Sequence, residues 1–192
     1  MTTTLADLTW PVRTERLELR PARVEDAEAV WTYRQLPEVS RWTGSFSPEH
    51  DAWVESFFGE ERIDDALVVE HEGRIVGDLM VKLEDGWAQH EVKDQVAKCQ
   101  AELGWTFDPA VGGRGLATEA VRALFGICFD GLGLRRVIAL CFADNEPSWR
   151  LMERVGMRRE QHNVNESLHA ELGWRDGFGY ALLADEWRAS SG

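Results

Sequence analysis

Residues 99–142 carry the pattern that most constrains this chain. Strand-like sequence from Cys99 to Phe107 stops at Asp108-Pro109, a glycine-rich turn spans Gly112 to Gly115, an apolar helix runs to about Phe129, and a β-branched run covers Arg136 to Phe142. Strand, helix and strand in that order form a right-handed crossover that places two parallel strands in one sheet. The helix holds Leu116, Ala120, Leu124 and Cys128 in one apolar row and Ala117, Val121, Phe125 and Phe129 in the next. Its buried face is therefore broad, and Gly131 and Gly133 end it. The run after it is continuous rather than alternating, which predicts a strand covered on both faces.

The remaining segments do not repeat this unit. Arg16 to Arg20 alternates polar and apolar residues up to Pro21, a half-buried strand. Val24 to Leu36 shows a helical stripe of Val24, Ala27, Val30 and Trp31, ended by Pro37. Ser47-Pro48 predicts a helix start with serine as cap, burying Trp53, Phe57 and Phe58. Two strands, Ala66 to His71 and Arg74 to Leu83, meet at Glu72-Gly73 as a tight hairpin. Glu84 to Lys98 is polar and weakly patterned, a long loop that borders a site. A helix from Pro147 to Val155, stopped by Gly156, precedes strands near Met157–Leu168 and Tyr180–Leu183. The expectation is an α/β (α+β) fold with a mixed, mostly antiparallel sheet of about six to seven strands and helices on both faces.

With 192 residues the chain fits a single domain, 1–192, with its core between about 13 and 187. Asp and Glu number 34 against 21 Lys and Arg, a net charge of −13 that disfavours nucleic acid and anionic membranes as partners and steers cationic ligands inward. Cys99, Cys128 and Cys141 lack a paired count and metal spacing, and read as reduced buried thiols. The first residues lack a basic leader and an apolar core, and no apolar run is long enough to span a bilayer, so the expected compartment is the cytoplasm. Scattered histidines without a His-Glu-x-x-His motif argue against a metal site, and no Gly-x-Ser-x-Gly supports a serine hydrolase.

The glycine-rich turn carries the chemistry. Glycines where a strand gives way to a helix let a ligand approach backbone amides, and the positive end of the helix suits phosphate oxygens. A plain connection uses the same residues, so the turn alone leaves both readings open. Leu116 follows Gly115 where a P-loop needs lysine. A dinucleotide fingerprint survives in part as Gly113-Arg-Gly115-Leu-Ala-Thr118, with Asp144 after the next strand, and keeps an NAD(P)-dependent oxidoreductase as an alternative.

The third reading is an acyl-coenzyme A site. Ala101-Glu-Leu-Gly-Trp-Thr-Phe-Asp-Pro109, Gly113-Arg-Gly-Leu-Ala-Thr-Glu-Ala120, Asn145-Glu-Pro-Ser148, Glu153-Arg-Val-Gly-Met157 and Trp174-Arg-Asp176 together resemble the GNAT N-acetyltransferases, in particular the RimJ/RimL-like branch that acetylates ribosomal-protein α-amines. The resemblance runs from Arg13 to Trp187. It implies acetyl-CoA as co-substrate, no metal, and an amine acceptor: a protein or peptide N-terminus, cationic in keeping with the chain's charge, or a small-molecule amine. The family's Gln/Arg-x-x-Gly-x-Gly/Ala falls on Gly112-Gly113-Arg114-Gly115-Leu116-Ala117, so the pyrophosphate is expected on the amides of Gly112 to Ala117, with Thr118 in the first helical turn. The first position has lost its long polar side chain. Pantetheine in such enzymes runs beside the preceding strand, which makes the backbone of Trp105 and Phe107 its expected partners, with a bulge near Gly104 to make room. Sheet-edge homodimers are common among such relatives.

Acetyl transfer to an amine needs a neutral nucleophile, a polarised carbonyl and a proton for the leaving thiolate. An α-amine that titrates near about 8 needs only a weak base once both substrates are aligned. The resemblance points to Glu102 as base, and a carboxylate beside Trp105 would have a raised pKa. A solvated strand residue is the equal alternative at Glu102, while His90 and Glu91 are further candidates. Relatives protonate the thiolate with a tyrosine at the position of Met152, which cannot donate a proton. Ser148 is the nearest hydroxyl and Asn145 a coenzyme contact, although both also suit the start of a helix. Met152 keeps a catalytically silent coenzyme sensor open as well.

Overall fold

The computed structural model describes residues 3–44, 47–59 and 62–191. Its strands are β1 (Val12–Arg13), β2 (Glu18–Pro21), β3 (Ala66–His71), β4 (Arg74–Glu84), β5 (Gln100–Phe107), β6 (Arg136–Phe142), β7 (Arg158–His169) and β8 (Gly173–Leu183). They form one sheet in the order β1-β2-β3-β4-β5-β6-β8-β7. The α-helices are α1 (Ala27–Arg34), α2 (Pro37–Ser40), α3 (His50–Phe58), α4 (Leu116–Gly126), α5 (Glu146–Arg154) and α6 (Ala184–Ser191). The sheet has eight strands rather than six or seven because β1, two residues long, is too short to leave an alternation in the sequence. The chain divides into two compact units: Leu5–Met80 with Trp105–Ala120, and chiefly Val81–Gly104 with Val121–Gly192.

In the first unit β2, β3 and β4 form an antiparallel meander. Glu72 and Gly73 both take positive φ, 52° and 75°, as a two-residue hairpin turn matched to strand twist demands. Val30 and Tyr33 of α1 and Trp53 and Phe58 of α3 pack on Ala66 and Val68 of β3. Pro37 does not simply end a helix. Leu36 before it is extended, as the proline ring requires, and Pro37 then opens α2. The helix after Ser47 starts later than expected, at His50, since Glu49 is still extended. The Ser47 hydroxyl instead accepts the Glu49 amide at 3.4 Å, in the bend before α3.

In the second unit β5 and β6 are the parallel pair that the crossover demanded, joined from Gln100↔Arg136 to Glu102↔Ile138. Buried positions along β5 run Ala101, Leu103, Thr106, so the period of two slips by one residue around Gly104-Trp105, as a bulge produces. α4 buries its apolar rows as the sequence requires and continues through a wider turn, Ile127–Gly131, where Leu132 donates to the Ile127 carbonyl five residues back. β6 departs from expectation at its end: Leu140 is 54% exposed. Its neighbour on β8 is Gly179, which offers no side chain to cover it. β8 starts at Gly173, seven residues before the expected Tyr180, because Gly173, Gly177 and Gly179 among charged residues conceal a strand. α6 follows β8 without a break and carries one large apolar residue, Trp187. It seats Trp187 against Phe125 and Phe129, with ring centres 5.8 and 6.3 Å away. The 84–98 segment holds a 3-10 turn, His90–Val96, and is tied at its base by Gly86 donating to Val96 and Lys98 to Asp85. Of the expected 38–47 loop, residues 45 and 46 lie outside the described residues.

Candidate active site

The glycine-rich turn belongs to the first unit. Asp108 fixes its entry, since its carboxylate accepts the Ala110 amide at 2.9 Å, pairs with Arg74, and its own amide donates to Val76 at 2.9 Å. Gly113 and Gly115 have φ of 74° and 76°, a region that strains any residue with a Cβ. A Cβ on Gly113 would meet no atom within 4 Å, so the turn is open at that residue. The first bond closing α4 runs from the Glu119 amide to the Gly115 carbonyl at 3.1 Å. Amides of residues 113 to 118 precede it and have no acceptor within the helix. Leu116 is buried and offers only its backbone, while Ala117 and Thr118 are half-buried on the first turn.

Two arginines hold this turn. Arg16 donates to the Arg114 carbonyl at 2.9 Å and pairs with Glu119 at 2.6 Å. Glu119 also accepts from Thr14 at 2.5 Å and from the Arg16 amide at 2.9 Å. Burial opposes the charge on Glu119, but these hydrogen bonds outweigh it and hold the carboxyl below its ordinary range. Arg114 is exposed, with one guanidinium nitrogen 2.9 Å from Nε2 of His71. Trp105 and Phe107 are half-buried, and the Phe107 ring lies where a Cβ on Gly77 would stand, 2.5 Å away.

Glu102, Asn145 and Ser148 belong to the second unit. The Glu102 carboxylate is 28% exposed and 4.0 Å from the Lys82 ammonium. Asn145 precedes α5, and its side chain makes no capping bond there. Ser148 shares a hydrogen bond with Cys141, whose thiol burial pushes up to about 11, against the opposing pull of Ser148 and of the Arg159 charge. Met152 is 1% exposed, a core residue. Tyr180, a buried tyrosine on the Cys141 side of the sheet, commits its hydroxyl to Glu153 at 2.9 Å and to Arg159 at 2.7 Å. Ser148 is thus the more accessible hydroxyl. His90 and Glu91 are exposed on the 84–98 segment.

Register separates Glu102 from Ser148. Glu102 pairs with Ile138, and Cys141 lies three residues further along an unbroken ladder, so Glu102 and Cys141 face opposite sides of the sheet. α5 covers the Cys141 side, with Ser148 on the thiol and Trp149 edge-on to Phe178 at 6.4 Å. Two proton-carrying groups on opposite faces cannot form a relay with each other. Each can serve a different reactant, however: one the amine, the other the thiolate. Sequence reasoning did not find Arg16, His71 or Cys141. Arg16 meets Glu119 across 103 positions, a pairing without a local signal.

Comparison with known proteins identifies the family. The acetyltransferase (GNAT) domain matches residues 16–158. The N-acetyltransferase YnaD of Bacillus subtilis, itself uncharacterised, is 29% identical over 179 residues, 92% of this chain and 98% of that one. A GNAT-family acetyltransferase structure from Bacillus anthracis aligns with a TM-score of 0.74 at 29% identity, covering 92% of this chain and all of that one. The structure of a candidate ribosomal-protein-serine acetyltransferase from Vibrio cholerae aligns with a TM-score of 0.67 at 26% identity, over 91% and 97%. These likenesses displace the oxidoreductase. The chain belongs to the GNAT acetyltransferase family and is an N-acetyltransferase.

Proposed function

We propose that the enzyme transfers an acetyl group from acetyl-CoA directly to an α-amino group of a protein, as a single domain over residues 1–192, in the cytoplasm. The observation that carries this reading is the turn at Gly112 to Thr118, where two glycines of positive φ open a row of helix-start amides beside two arginines. That row fits a pyrophosphate in shape and charge. The family match across 16–158 spans both units, and the ribosomal-protein name of the Vibrio cholerae relative supports a protein acceptor. A net charge of −13 favours a cationic one. Free Cys99, Cys128 and Cys141 suit a reducing compartment.

In this mechanism acetyl-CoA supplies the thioester carbonyl and the leaving thiolate. The Gly112 amide is taken by the Pro109 carbonyl at 2.9 Å, so the amides of Gly113 to Ala117 hold its phosphates, Thr118 lines the first turn, and the backbone of Trp105 and Phe107 aligns its arm, with Asn145 as a further contact. Glu102 takes the amine proton, either directly or through water, and Ser148 donates a hydrogen bond to the departing sulfur. Cys141 remains a neutral thiol, so the transfer needs no acyl-cysteine and both substrates bind together.

Calorimetric titration with acetyl-CoA and with NAD, followed by thiol release with short N-terminal peptides and with spermidine, tests this. Acetyl-CoA alone should bind, and G115V should weaken it more than about tenfold by straining the turn. Ser148→Ala should lower kcat with acetyl-CoA affinity retained. Tight NAD binding, or acetyl-CoA binding indifferent to G115V, overturns the reading.

A further inference from the structure

His71 lies outside every motif of the family resemblance, yet it is 92% buried at the end of β3, directly against the glycine-rich turn. Its Nδ1 is 3.0 Å from the Arg16 carbonyl. A carbonyl only accepts, so Nδ1 carries the proton. Nε2 is then a lone pair, and it faces Nη2 of Arg114 at 2.9 Å, a group that only donates. The ring is therefore neutral and works as an acceptor for a guanidinium. The charged neighbours of Nε2 are that guanidinium and Glu72, whose carboxylate is 3.9 Å away and largely in solvent.

The arrangement has a use at a phosphate site. Arg114 follows Gly113, where the turn is open, and its side chain is otherwise long and exposed. Held by one of its five N–H groups, it keeps four for an anion, in a position already chosen. Ordering such a side chain before the ligand arrives removes part of the entropy cost of binding. Arg16 fixes the backbone of the same residue through the Arg114 carbonyl, while His71 fixes its side chain. An arginine held only for structure would meet a carboxylate, as Arg16 and Arg20 do. A neutral acceptor leaves the positive charge uncompensated.

Resting on the acetyl-CoA reading above, we propose that His71 is a positioning residue that holds the Arg114 guanidinium as a side-chain grip for a phosphate of the coenzyme. The test is calorimetry of acetyl-CoA and dephospho-coenzyme A with wild type, H71L, H71Q, R114Q and H71L/R114Q. H71L and R114Q should each weaken acetyl-CoA binding about five- to tenfold, and the double variant should be no weaker than R114Q, since His71 acts through Arg114. H71Q, whose amide oxygen can accept from Arg114, should stay within about twofold of wild type, a rescue that a purely structural role would not give. Losses that persist with dephospho-coenzyme A assign the grip to the pyrophosphate, and losses confined to the full coenzyme assign it to the 3′-phosphate. Undiminished binding by folded H71L, or losses that multiply in the double variant, overturn the proposal while the function stands. A wild type that binds no coenzyme overturns the function and this inference together.

Discussion

Cys141 shows how burial decides what a single side chain can do. A thiol at about 11 is protonated at neutral pH, and thiolate rather than thiol is the nucleophile. Its alkylation by iodoacetamide, followed by site-resolved mass spectrometry, should be slow at pH 7 and rise about tenfold per pH unit to a midpoint near 11. Ser148→Ala removes a hydrogen bond that favours the thiolate, so the midpoint should move further up. A midpoint near that of an ordinary thiol, or an acetylated Cys141 after incubation with acetyl-CoA, would sink direct transfer. His71 shows the complementary case, a ring whose partners, one acceptor and one donor, dictate its tautomer. Neither property is written in the residue's identity. Cys141 reads from sequence as one more apolar position in a strand, and His71 as the end of another.

Elements were legible wherever a local rule was strong. The Glu72-Gly73 turn, the strand pair around it and the β5-α4-β6 crossover emerge with boundaries within a residue or two, because turn chemistry and hydrophobic period act over short distances. β8 and α6 did not, since a strand paved with Gly177 and Gly179 and a helix whose one large apolar residue is Trp187 gain their stability from what they pack on. The junction of β2 and α1 depends on charge. Arg20 grips Asp26 through two bonds of 2.7 and 2.8 Å and Glu70 through one of 2.7 Å, and Asp26 also accepts the Arg23 amide at 2.8 Å. Burial works against the Asp26 charge, yet the Arg20 and Arg23 hydrogen bonds prevail and lower its pKa. A lowered native pKa means stability present above the unfolded value of about 3.9 and lost as pH falls through the native one. D26N should therefore cost about 2–3 kcal/mol at pH 7, measured by urea denaturation, with the gap narrowing progressively as pH falls below about 3.9. Equal losses at both pH values would contradict this.

At the scale of the whole molecule the excess of acidic residues is a field rather than a contact. With a net charge of −13, encounter with a basic N-terminal peptide should be steered. Raising salt from about 0.02 to 0.2 M should lower kcat/KM for that peptide several-fold and leave a neutral amine acceptor unchanged, because screening shortens the reach of the field to about 8 Å. Equal salt response for both acceptors would remove charge as a determinant of acceptor choice. Among the described residues no helix is long and apolar enough to cross a membrane. What the amino-acid sequence alone determined is the family, the crossover and the glycine-rich turn, because glycine conformation, helix-start amides and apolar period are properties of neighbours along the chain. Only the tertiary structure decided that Glu102 and Ser148 face opposite sides of the sheet, that Met152 is core, and that Arg16, itself paired with Glu119, meets Arg114 together with His71. Those facts depend on strand register and on pairings between residues as many as 103 positions apart, and no local rule spans that distance.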